Sequence, residues 1–389
     1  MTKTILSLLF IAFIFAFTGK AQTPTPTPPV IPEVIPLPPS TKPPPVSNWG
    51  FDEKTAAEIE ARLKKIPAAQ QTPQDVDTRI ELIYYYDRQA TPAAKKAAQE
   101  HRLWLVRNRP EKMYYRELGW WASEEDLKNP DYIALKEEWL RQINLKKTNE
   151  KIRLSAAQFL SELDAPLAEK ILREGQQLNP NVYEYSEHLI EIYEAQVAAA
   201  IGDYESQEAD GKEADIDAAL RKVLAEGEKG LAIIAKDKEQ ATYFDHFDLL
   251  VKLAEAALDL NELKKARAFA ETVLNKTKDA SDAWIDREKA IYYGNTLLGR
   301  VALREGNTAK AREHLPASLT FPEESDFEIK DLELDLAAEL LARGEKQLVL
   351  DYLARAEKLT TDADNIKVLR RWQRLIKRNS FPFWEGDKY

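Results

Sequence analysis

Residues 149–180 read NEKIRLSAAQFLSELDAPLAEKILREGQQLNP. Ile152, Ala156, Phe159 and Leu163 recur at steps of three and four, which sets them on one side of a helix with a 3.6-residue period. Leu167, Ile171, Leu172 and Leu178 do the same in the second half of the stretch. Between the two halves Asp164 is placed to cap a helix, its carboxylate accepting from orphan amides, and Pro166 falls where a first-turn proline is tolerated. Pro180 cannot continue the helix and stops it. The small side chains of Ala156 and Ala168 allow two helices to cross closely. The stretch therefore predicts a helical hairpin.

The same spacing returns along the chain. Asn295, Leu298, Gly299, Ala302, Gly306, Ala311 and Leu315 form a second set; Leu250, Leu253, Ala254, Ala257, Ala266 and Ala270 form a third. A fourth comprises Leu336, Ala337, Leu340, Gly344, Val349 and Leu353. The pattern resembles the tetratricopeptide repeat (TPR), a helix–turn–helix unit with small residues at the crossing and a proline after the second helix. Ile152, Ser155, Ala156, Phe159, Ala168, Leu172 and Pro180 stand at the pattern positions of the first set, with Ile152 and Ala156 in place of the usual tryptophan and glycine. The expected fold is all-α: a TPR-like right-handed α-solenoid of stacked hairpins, in which each pair buries its apolar face on the next. The matched repeats cover about 149–180, 247–276, 292–319 and 330–359 within a helical domain at 50–379. A partial copy fits Tyr183–Tyr193. Gly202–Gly211, GDYESQEADG, is expected to be a loop.

Upstream, Met1–Ala21 has the layout of a secretory signal peptide. Lys3 is the positive start, Ile5–Phe17 is apolar save for Ser7, and Gly19 and Ala21 are the small residues before a cleavage point. Thirteen residues span about 20 Å as a helix, short of the ~30 Å bilayer core. Residues 22–49 hold 11 of the 21 prolines and are expected to be a disordered, polyproline-II-like linker. The chain is thus expected to be exported, periplasmic or secreted. It has no cysteine, so neither disulfides nor a lipid anchor on cysteine can form.

Charged residues make up 31% of the chain and the net charge is −10, which argues against a nucleic-acid partner. The charge has structure, however. Glu184, Glu187, Glu191 and Glu194 recur at steps of three, four and three, a stripe of like charge on one face of a helix. The resemblance implies that the first helix of each hairpin lines a concave groove for a protein or peptide. By that matching Glu150, Arg153, Glu255, Tyr293 and Arg300 also face inward, and the four glutamates suit a basic partner.

Two other readings compete. Residues 84–139 carry ten tyrosines and tryptophans, and Trp120 and Trp121 could form a glycan-binding patch of an envelope protein. Tyr84, Tyr85 and Tyr86 point around a helix, so at least one is expected to face solvent. An enzyme on an all-helical frame would need close titratable groups in a pocket, but no catalytic motif is present, and His101, His188, His246 and His314 are scattered singly. No cofactor or metal is called for. Residues 364–378 combine Ile366, Leu369, Trp372 and Ile376 on one side with six cations on the rest. A capping helix is the first reading, and membrane contact through it, or through an uncleaved N-terminus, the second. Residues 380–389 form an aromatic tail.

Overall fold

The computed structural model describes residues 52–89, 91–111, 126–205, 212–237, 243–275, 287–321 and 334–380. The leader, the proline-rich segment, Trp120, Trp121 and residues 381–389 lie outside them. Among the described residues there are fifteen α-helices, two short 3-10 turns and no strand. The first four helices are α1 (Glu53–Lys65), α2 (Pro73–Asp87), α3 (Pro92–Asn108) and α4 (Pro130–Leu145). Next come α5 (Glu150–Ser161), α6 (Ala165–Leu178), α7 (Glu184–Glu205), α8 (Lys212–Lys236), α9 (Tyr243–Asp259) and α10 (Leu263–Asn275). The last five are α11 (Arg287–Arg304), α12 (Thr308–Ala317), α13 (Asp335–Ala342), α14 (Lys346–Lys358) and α15 (Ala363–Lys377).

Local chemistry sets the helix starts. Asp164 accepts from the Leu167 amide at 3.3 Å at the head of α6. Thr72 and Asp75 exchange bonds in a capping box at α2, and Asn149 caps α5. One boundary differs from the sequence expectation: α7 runs to Glu205, so 202–205 are helical rather than loop, and 206–211 lie outside the described residues. Ala198, Ala199 and Ala200 are strong helix formers and carry the helix past Gly202.

Three hairpin turns are built alike. Asn261, Gly306 and Gly344 have φ of 55°, 77° and 88°. The amide after each reaches back five residues: Glu262 to the carbonyl of Ala257, Asn307 to Ala302, and Glu345 to Leu340, at 2.7, 2.8 and 3.1 Å. This is the Schellman closure, which needs a left-handed residue and so favours glycine or asparagine. These turns join α9 to α10, α11 to α12 and α13 to α14. Asn261 to Gly306 is 45 residues and Gly306 to Gly344 is 38, the same intervals that separate Ala254, Gly299 and Ala337.

The small-residue positions are where helices meet. Ala156, Ala168, Ala254, Ala270 and Ala311 are fully buried, and Ala266 and Ala337 nearly so. Each helix from α2 to α4, and from α4 to α11, packs on the next, and α5 also packs on α7, α9 on α11, α11 on α13, and α12 on α14. The buried apolar side chains form four clusters, all between Ala56 and Ile376. Tyr84, Tyr85 and Tyr86 are each half-buried; ring contacts of Tyr86 with Tyr85 and His101 account for part of that cover.

Candidate functional site

The glutamate stripe lies on α7. Tyr185, Leu189 and Ile192 of the same helix are buried, while Glu184, Glu187 and Glu194 are half-buried and Glu191 exposed. The stripe has partners of its own within the fold. His188 Nδ1 lies 2.8 Å from a Glu191 carboxylate oxygen. Burial works to lower the His188 pKa, but the bond and charge of Glu191, with the charges of Glu187 and Glu184, overcome it, so the value stands above that of an ordinary histidine. Glu191 is held below the usual carboxylate range by the same bond, against burial, with help from the charges of His188 and of Lys252 on α9. Glu194 receives Lys252 Nζ at 2.5 Å.

The remaining sequence candidates sit on alternate helices. Glu150 and Arg153 are on α5. Arg153 is buried, its Nε donating to the Lys147 carbonyl at 3.1 Å and its Nη1 reaching Glu174 at 3.5 Å. Glu255 is half-buried on α9. Tyr293, on α11, meets the rings of Tyr292 and Phe247 edge-on. Arg300 is a hub: its guanidinium lies 3.9 Å from Asp259 of α9, 3.1 Å from Asp335 and 3.2 Å from Glu339 of α13. Burial raises the Asp259 pKa even though Arg300 and Arg304 draw it down. Sequence reasoning placed these residues on first helices but missed their partners: Lys252 is 58 positions from Glu194, and Glu339 is 39 from Arg300. His188–Glu191 was legible as an i, i+3 pair.

Two ionic clusters gave no sequence signal. In the first, Arg79 of α2 is buried, donates to Gln71 at 2.9 Å and lies 3.0 Å from His101 Nδ1, with its guanidinium 4.0 Å over the Trp104 ring. His101 Nε2 faces Glu60 at 3.4 Å, and the Tyr86 hydroxyl donates to Glu60 at 2.7 Å. Burial and the Arg79 charge push the His101 pKa down to about 4. Its acceptor nitrogen is thus taken by a guanidinium, which ties α1, α2 and α3 together and leaves the ring no lone pair for proton abstraction. In the second, buried Glu226 of α8 accepts from Arg173, from Gln176 at 2.8 Å and from Lys229 at 2.9 Å. These bonds outweigh burial and keep Glu226 below the ordinary glutamate pKa.

Among the described residues no group of three or more histidine, aspartate or glutamate side chains is placed to hold a metal ion, and no helix is long and apolar enough to cross a membrane. Compared with known proteins, the chain matches no family model and no curated protein.

Proposed function

We propose that this chain is an exported, non-catalytic scaffold, a TPR-like right-handed α-solenoid that binds a basic protein or peptide along the first helices of its hairpins. In this reading residues 1–21 direct export and residues 22–49 tether the helical domain. The observation that carries it is the packing of alternate helices. α5 lies on α7, α9 on α11 and α11 on α13, and the Glu194–Lys252 and Arg300–Asp259 pairs join α7 to α9 and α9 to α11. All nine groove candidates lie on α5, α7, α9 and α11, so a partner that crossed these helices would meet a carboxylate-rich surface. The identical Schellman turns at Asn261, Gly306 and Gly344 support a repeat origin. The inference from such a fold to partner binding is by analogy of architecture.

The test is affinity capture from a cell-envelope extract with the native chain and with Glu184, Glu187, Glu191 and Glu194 all changed to glutamine. Mass spectrometry should show basic proteins lost with the glutamine version. Recovery of the same proteins by both would remove the groove.

A further inference from the structure

We propose that His188 makes binding on the α7 face proton-dependent: the face holds a basic peptide more tightly once His188 has lost its proton, and the peptide expels that proton as it binds. The switch presupposes the basic partner proposed above and names what regulates its affinity.

The placing of side chains on α7 sets its parts. His188 and Glu191 are three residues apart on one helix face, and the ring meets the carboxylate at 2.8 Å. The ring is only 11% exposed, whereas the Glu191 side chain is 57% exposed. Glu184, Glu187 and Glu194 are half-buried, so Glu191 is the carboxylate of the stripe most open to an incoming cation, with His188 bonded to it from within the fold. Glu194 is held by Lys252 of α9. Of these two internal cations, the histidine is the one whose charge changes near neutral pH. A neutral ring still donates through Nδ1–H, so loss of the proton leaves Glu191 in place but uncancelled.

Burial opposes the charged ring; Glu191, Glu187 and Glu184, all on α7, favour it and keep its pKa above the ordinary histidine value. The neighbouring helices bring further charges to this part of α7. Lys252 is flanked along α9 by Asp248 and Glu255. Glu169 and Arg173 of α6 meet the Tyr193 hydroxyl, and Lys222 of α8 lies 4.8 Å over the Tyr193 ring. Glu150 and Arg153 of α5 act on Tyr185.

Linkage fixes the sign. A cation beside Glu191 and a proton on His188 repel each other, so each weakens the binding of the other by the same factor. Affinity for the partner therefore rises as pH rises through the His188 pKa, which stands above 6.5. For two unit charges about 4 Å apart in water the factor is about fivefold.

The experiment is isothermal titration of the chain from Gln22 onward, which keeps every described helix, with acetylated and amidated hexa-arginine at low ionic strength. The charge of that peptide does not vary near neutral pH. The native chain should bind it about fivefold tighter at about pH 8.5 than at about pH 6. At about pH 7.5, two buffers of different ionisation heat should show release of less than one proton per peptide. His188→Gln, which keeps a donor for Glu191, should bind alike at both pH values and release no proton. The buffer pair reads the same linkage in the native chain if that variant melts early by circular dichroism. Equal affinity of the native chain at both pH values, tighter binding at the lower one, or a pH dependence that survives in His188→Gln overturns the switch and leaves the groove standing. No binding at either pH removes groove and switch together.

Discussion

Glu194 of α7 and Lys252 of α9 meet at 2.5 Å, so the glutamate stripe of α7 already holds a cation at its last carboxylate. One turn earlier the His188 ring meets Glu191 at 2.8 Å. A basic partner on this surface would therefore exchange cations with the protein's own side chains, and those side chains set its affinity.

Replacing Lys252 with alanine tests that exchange. Both side chains are more than one-third exposed, so losing the pair should cost the fold only about 0.5 kcal/mol. Glu194 would then be open to an outside cation, and an oligolysine peptide should bind about fivefold tighter at low ionic strength, a gain that salt removes. Isothermal titration gives both numbers. Equal affinity for the two chains would show that Glu194 takes no part in binding.

Gly175→Ala should destabilise the chain. A Cβ at Gly175 in α6 would sit 2.4 Å from the ring of Tyr185 in α7, and that ring is fully buried. Alanine gains about 0.5–1 kcal/mol of helix propensity over glycine, but overpacking a core costs about 1–3 kcal/mol. The net loss of about 1–2 kcal/mol should appear as a lower urea midpoint at unchanged slope. A midpoint equal to or above the native one would mean that α6 and α7 do not approach this closely.

Acid should weaken the fold before most carboxylates titrate. With its pKa at about 4, His101 stays neutral in the folded chain while the unfolded chain takes up a proton below the ordinary value of 6.5. Its stabilisation is therefore present above about pH 6.5, is lost as pH falls toward 4, and totals about 3 kcal/mol. His188 acts in the opposite sense: with its pKa raised, its stabilisation is present below about 6.5 and fades as pH rises through the higher value. Urea midpoints followed from pH 4 to pH 9 should show both flanks (about 1.4 kcal/mol per pH unit at most for each proton). His101→Gln should flatten the acid flank and His188→Gln the alkaline one; identical profiles for all three chains would contradict both assignments.

Sequence alone was sufficient for the helices, because their signals are local. The three- and four-residue periodicity of residues 149–180 and the cap at Asp164 depend on neighbours within one or two turns. Chain stiffness and backbone hydrogen bonding settle such features without reference to distant residues. The expected loop at Gly202 gave way for an equally local reason, the alanine run before it. What only the tertiary structure decided was which charges meet. Arg300 with Asp335 and Glu339, Lys252 with Glu194, and Arg79 with His101 and Glu60 are separated in sequence by 19 to 58 positions and come together only when helices pack. Coulomb energy and desolvation depend on distance and burial, which a linear spacing does not carry. The α7 stripe therefore reads as four bare glutamates in the sequence and as a partly neutralised surface in the folded chain.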